Sequence, residues 1–137
     1  MSTEIRHNVV IKATPEKIYK AVTTQEGLAN WWAKQTTAKP EVGFMNIFTF
    51  GKFRNEMQVT DLTSNKRVAW KCINSIDEWI DTTISFDLEE KDSSTILRFT
   101  HGGWRAVTDT FAGCTYDWAH FIRSLKSLCE TGTGTPS

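Results

Sequence analysis

The sequence lacks an excess of either charge. Sixteen Lys and Arg are matched by sixteen Asp and Glu, a formal net charge of zero. A neutral balance provides no basic footprint for nucleic acid or an anionic membrane, so neither is an expected partner. Long apolar runs are also missing. No stretch approaches the roughly 18 apolar residues of a membrane span, and Met1 to Asn8 lacks the apolar core of a signal peptide. These absences predict a chain that stays in the cytoplasm. Cysteine is scarce: Cys72, Cys114 and Cys129 are an odd number without CxxC spacing, which argues against a disulfide framework or a zinc knuckle. On one helix, Cys114 and Cys129 would stand ~22 Å apart, beyond the ~7 Å reach of a disulfide. With no basic cluster nearby, all three read as reduced, packed thiols. HxxxH, HxH, GxSxG, P-loop and GxGxxG patterns are absent, so no metal or cofactor is expected.

Aromatic residues, by contrast, are plentiful. Six Trp and eight Phe in 137 residues are a large flat apolar area for a chain whose length suits one domain, residues 1–137. Leu, Ile, Val and Phe together number 31, enough to take the chain out of the disordered class. So many rings require either a dense core or a cavity that something fills.

Period-two alternation of Ile5, His7, Val9 and Ile11 predicts a first strand. Thr14-Pro15-Glu16 then carries the cap, the first-turn proline and the acidic residue of a helix start. A second short helix follows Thr24 and includes Leu28, Trp31 and Trp32. Lys34 to Pro40 is polar and reads as a loop. From Val42 to His101 the period is two again, broken by turns at Gly51-Lys52, Ser64-Asn65 and Lys91 to Ser93. This predicts antiparallel hairpins, with Ile80 to Leu88 as one continuous strand. Gly102 to Ala112 reads as a linker containing Trp104. In the long helix that follows, Cys114, Trp118, Phe121, Ile122, Leu125, Leu128 and Cys129 share about 120° of arc, and Gly132 ends it. Thr133 to Ser137 reads as a free tail. Helices set at the ends of an antiparallel run define an α+β fold. About six strands would curve around the long C-terminal helix, with two short helices after the first strand.

Several segments carry a family likeness. Ile11-Lys12-Ala13-Thr14-Pro15-Glu16-Lys17-Ile18-Tyr19, Ala21-Val22-Thr23-Thr24 and Leu28-Ala29-Asn30-Trp31-Trp32 resemble the opening signature of the START-like, or SRPBCC, helix-grip superfamily. Glu78-Trp79, Thr95 to His101, Cys114 with Trp118, and Leu125 to Gly132 agree, so the likeness runs from about Glu4 to Gly134. Within the superfamily, the chain is similar to small proteins that resemble the C-terminal domain of the ATPase activator of the large cytosolic heat-shock chaperone. The resemblance implies a helix-grip fold with an apolar cavity between sheet and helix. It also implies neighbouring first and last strands, which would bring His7 and His101 together at one end of the groove. Superfamily members include lipid and hormone binders, polyketide cyclases and co-chaperone domains, and fold alone does not choose among them.

Phase on the strands and helices nominates a ligand lining of Trp31, Met57, Val59, Trp70, Cys72, Thr82, Ile84, Phe86, Leu97, Phe99, His101, Trp118, Phe121 and Ile122. The plainer reading is that these side chains fill a solid core. Small groups at Cys72, Thr82 and Cys114 would leave room for a ligand. Trp31 and Trp32 are adjacent, so one helix face cannot turn both inward. One of the two is expected to pack and the other to sit at the groove mouth. By their places at helix ends, loops or outward phases, Trp31, Trp32, Trp79 and Trp104 read as residues of a groove mouth or partner surface. His7 and His101 read as a polar pair at a ligand entrance or as two separately satisfied rim histidines, and His120 as solvent-facing. Asp77, Glu78 and Asp81 read as a solvated rim rather than a catalytic pair. The expected partner is a small hydrophobic molecule, with no catalytic residue assigned. A cyclase- or dehydratase-like activity and a co-chaperone role are the alternatives. The eukaryotic activator carries a separate N-terminal domain for much of its chaperone binding, and this chain has no residues for one. Slight stimulation of the chaperone's ATPase is therefore expected, and a clear dose-dependent stimulation by the 137-residue protein would contradict that.

Overall fold

The computed structural model describes residues 3–137. Met1 and Ser2, which begin the single-domain and leader readings, lie outside them. The described residues form β1 (Thr3–Ile11), α1 (Pro15–Thr23), α2 (Gln25–Trp31), β2 (Gln35–Thr37), β3 (Met45–Phe50), β4 (Phe53–Thr63), β5 (Arg67–Asn74), β6 (Thr83–Lys91), β7 (Ser94–Trp104) and α3 (Asp109–Thr131). The seven strands make one antiparallel sheet in the order β1-β7-β6-β5-β4-β3-β2. Its inner face is apolar and packs against α1, α2 and α3. This is an α+β helix-grip architecture.

Local chemistry explains most boundaries. Thr14 Oγ1 accepts from Lys17 N at 3.2 Å and starts α1. Thr24 ends that helix and begins the next by accepting from Gly27 N at 3.0 Å. Asn65 and Asp92 take the positive φ of their turns, at 61° and 57°, a region Asn and Asp tolerate better than most residues. Gly132, at φ 89°, closes α3 in the left-handed conformation. Along α3, Trp118, Ile122, Leu125 and Cys129 are buried, while Tyr116 is exposed. Each fully buried Ile or Leu side chain is worth about 1.5–3 kcal/mol.

Four sequence expectations change. Gln35–Thr37 is a strand, not a loop, which raises the count from six to seven. It is a short polar edge strand with no hydrophobic alternation to betray it. The expected linker at Gly102 continues β7, where Trp104 pairs with Thr3 and is 4% exposed. Gly103 accommodates the bend at φ 84°, and α3 then starts early because Thr108 caps Phe111 N at 3.1 Å. The strand expected from Ile80 begins only at Thr83, since Asp81 sits at φ 70° and breaks the phase. The tail is not free. Ser137 N donates to Trp32 O, and Lys34 N donates to Ser137 O, both at 2.9 Å. Thr135 N donates to the buried Ser124 Oγ at 2.7 Å.

The two short helices cross with almost no clearance. A Cβ on Gly27 would lie 2.6 Å from Ala21 Cα and 2.7 Å from Ala21 O. Both are backbone atoms, so neither can swing aside. Gly27→Ala would gain up to ~1 kcal/mol of helix propensity. It would also incur overpacking of about 1–3 kcal/mol. The expected outcome is a lower urea midpoint at unchanged m-value; a raised midpoint would contradict the close crossing.

Candidate functional site

The interior is a continuous cluster of rings. Trp32 stacks on Trp70 at 6.0 Å and 13°, and meets Phe48 at 4.4 Å and Trp118 at 5.1 Å between centroids. Phe99 lies 4.5 Å from Trp118 and 5.3 Å from Phe86. Trp31 meets Phe86 edge-on and donates its Nε1 hydrogen to Ala21 O at 2.8 Å. Trp31 and Trp32 are thus both buried, at 0% and 2% exposure. The helix-face argument fails because the end of α2 is covered on more than one side: Trp31 packs against Phe86 and α1, and Trp32 against Phe48, Trp70 and Trp118.

His101 sits at the centre of a polar chain inside this cluster. Trp118 Nε1 lies 3.0 Å from His101 Nδ1. An indole nitrogen only donates, so Nδ1 must be the acceptor. His101 Nε2 then carries the hydrogen and donates to Thr82 Oγ1 at 2.9 Å. Thr82 Oγ1 passes its own hydrogen to Trp79 O at 2.5 Å. Every member is satisfied, and the tautomer is fixed. His101 is 0% exposed, not a rim residue, and burial lowers its pKa to about 3. His7 lies opposite Phe99 in β1–β7 and stacks on that ring at 6.3 Å, with a buried Nε2 that has no partner among the described residues. No hydrogen bond joins it to His101, whose two nitrogens are engaged elsewhere.

An apolar cleft lies beside this cluster. It measures about 420 Å³ and runs between the β3–β4 hairpin, the loop after β5 and the first half of α3. Trp32, Phe50, Phe53, Ile76, Trp79 and Phe121 supply apolar walls. Asn55, Ser75, Cys114, Asp117, Trp118 and Ser137 complete the lining. Ser75 Oγ donates to Asn55 Oδ1, and Trp79 Nε1 points at Cys114 Sγ at 3.4 Å. Burial pushes the Cys114 thiol up, and the Asp117 and Glu78 carboxylates add to it. Burial also drives Cys72 and Cys129 up to about 11. All three cysteines are free.

Of the fourteen residues nominated from the sequence, Trp118 and Phe121 line this cleft. Trp31, Met57, Val59, Trp70, Cys72, Thr82, Ile84, Phe86, Leu97, Phe99, His101 and Ile122 pack behind it, each at most 3% exposed. Among the tryptophans read as rim, Trp32 and Trp79 reach the cleft, whereas Trp31 and Trp104 do not. Asp77, Glu78 and Asp81 stay around the exposed loop, where Glu78 accepts from Thr108 Oγ1 at 2.6 Å. Among the described residues, no three His, Cys, Asp or Glu side chains converge as a metal site, and no helix is long and apolar enough to cross a membrane.

Residues 12–130 match the family described as activator of Hsp90 ATPase homolog 1-like protein. The chain belongs to that family. The solution structure of the Aha1 dimer from Colwellia psychrerythraea is 41% identical, with 96% of this chain and 99% of that one covered and a TM-score of 0.90. MLL2253 from Mesorhizobium loti is 21% identical over 92% of this chain and 96% of that one, with a TM-score of 0.81. BH1534 from Bacillus halodurans is 23% identical over 93% and 97%, with a TM-score of 0.78. These last two speak to the fold alone. No curated protein matches the sequence. For this activator-homolog-like chain, the family and its helix-grip fold indicate a domain of the binding type.

Sequence reasoning left Phe50, Phe53, Asn55, Ser75, Ile76 and Asp117 out of the site. One signal was available: Phe50 and Phe53 flank the Gly51-Lys52 turn, so two rings close the hairpin tip. Asn55, Ser75 and Ile76 gave none, because they meet only through the bend of the loop after β5.

His101 makes a pH prediction. Its native pKa lies below the ordinary value of 6.5, so the unfolded chain binds the extra proton between about pH 6.5 and pH 3. Stability from this group is complete above pH 6.5 and falls on acidification, by up to about 1.4 kcal/mol per pH unit. In urea unfolding from pH 6.5 to 5, above most carboxylate titration, His101→Gln should flatten the slope markedly. An equally steep slope in the variant would contradict the assignment.

Proposed function

We propose that the cleft binds a small molecule with a hydrophobic or aromatic body, and that binding rather than covalent chemistry is its task. The observation that carries this reading is the cleft itself: about 420 Å³, walled by rings and with few polar groups. Ligand sites are typically concave, largely apolar and equipped with a few placed polar groups. The neighbouring chemistry supports binding over catalysis. Both His101 nitrogens are engaged, and burial keeps the Cys114 thiol protonated. In this reading the ligand sits not in a closed cavity between sheet and helix but in a cleft between the first half of α3, the β3–β4 hairpin and the loop after β5.

A second reading is an interaction surface, favoured by Phe53, which is 64% exposed at the cleft rim. The Colwellia relative was solved as a dimer, so a second copy of the chain is the macromolecular occupant to consider.

The neutral fluorophore N-phenyl-1-naphthylamine should bind saturably, one per chain. Phe53→Ala, at an exposed site, should leave stability unchanged and weaken the dye about three- to tenfold, the effect of truncating one contributing aromatic contact. Ile76→Trp should block it by filling the cleft. An absence of saturable binding, or equal affinity in both variants, would overturn the proposal. If Phe53→Ala instead alters the sedimentation coefficient and leaves dye binding intact, the interaction reading replaces it.

A further inference from the structure

The polarity of the cleft is one-sided, and that asymmetry defines a ligand class. Six rings face or border it: Trp32, Phe50, Phe53, Trp79, Trp118 and Phe121. Its lining contains no Lys, Arg or His, and its one ionisable carboxylate side chain is Asp117. Asp117 enters no ion pair among the described residues. Four side-chain donors of the lining are already engaged within the protein. Trp118 Nε1 donates to His101, Trp79 Nε1 to Cys114 Sγ, Ser75 Oγ to Asn55 Oδ1, and Asn55 Nδ2 to Phe48 O at 3.4 Å. What the lining presents outward is mainly π faces, the lone pairs of Ser75, the neutral Ser137 hydroxyl and the Asp117 carboxylate.

Basic groups around the cleft stand outside its lining: His120 meets the Phe121 ring edge-on at 5.1 Å between centroids, and Arg54 pairs with Glu56 at 3.5 Å. Arg105 is turned to the carbonyls of Asp77 and Ile80. Lys52, in the turn between Phe50 and Phe53, is exposed and does not line the cleft. Glu78, outside the lining, adds a second negative charge; burial first, and then both carboxylates, raise the Cys114 thiol.

Resting on the reading of the cleft as a ligand site, we propose that it selects organic cations: amines or quaternary ammonium compounds with an aromatic or aliphatic body. Aromatic faces attract a cation through their quadrupoles, and partial desolvation strengthens that attraction. Asp117 adds a direct charge partner at the mouth. An anionic amphiphile of the same shape meets no cationic side chain in the lining and one like charge.

The test compares three probes that share one ring system: 2-naphthylmethylammonium, 2-naphthylmethanol and 2-naphthoate. Affinities come from NMR titration, followed through the indole resonances of Trp79 and Trp118. The ammonium probe is expected to bind at least about tenfold more tightly than the alcohol, and the carboxylate more weakly than both. Asp117→Asn, at an exposed helix position, should bring the ammonium and alcohol affinities within about threefold while the alcohol is unchanged. Equal or tighter binding of the alcohol or the carboxylate by the unaltered protein overturns the cation proposal and leaves the cleft a ligand site. If none of the three probes shifts the Trp79 and Trp118 resonances, the ligand-site reading fails and the cation proposal falls with it.

Discussion

The hydrogen bond from Trp118 to His101 determines how α3 lies on the sheet. It joins the first half of the helix to β7 in the middle of the apolar layer. Through His101 Nε2 it extends to Thr82, and through Thr82 to the backbone at Trp79. Three otherwise separate pieces, α3, β7 and the loop before β6, are thereby fixed to one another by directional contacts. Apolar packing alone tolerates sliding; a satisfied buried polar chain does not, because any displacement leaves a desolvated group without a partner. The arrangement also requires the imidazole to stay neutral, since a second ring hydrogen would face the indole donor.

The helix is held at its other end too. Lys126 Nζ reaches Val10 O at 2.7 Å, and Lys12 N donates to Glu130 Oε2 at 2.7 Å. Between these anchors, Ser124 donates to Trp31 O and accepts from Thr135. One small side chain thus ties α2, α3 and the tail together. The cleft opens where these ties end, at the hairpin tip and the loop after β5. A cleft at that place combines a rigid ring wall on one side with exposed loop positions on the other. Loops placed on a rigid scaffold are a common location for binding residues.

Much of this architecture was legible in the residues. The caps at Thr14 and Thr24, the turn residues at Asn65 and Gly132, and the stripe along α3 all follow local rules with strong physical causes. The edge strand Gln35–Thr37 was not legible, because pairing to one neighbour needs no apolar face. The site was legible only in part. Strand phase correctly identified the inward side chains, but phase says which way a residue points, not whether space remains beside it. Trp32 was obscured by the assumption that the end of α2 is covered on one face only. Trp79 was obscured by a strand phase that Asp81 interrupts. In both cases the residue lies at an element boundary, where periodicity stops carrying information.

The row of indoles also has an optical consequence. Trp70 stacks on Trp32, Trp32 packs against Trp118, and Trp118 stacks on Trp79 at 6.0 Å and 14°. Rings this close exchange excitation energy faster than they emit. Light absorbed deep in the sheet can therefore leave from the end of the row, at Trp79 in the cleft wall, and the emission belongs to the row rather than to any single indole. A molecule that quenches one exposed ring would darken its buried neighbours as well.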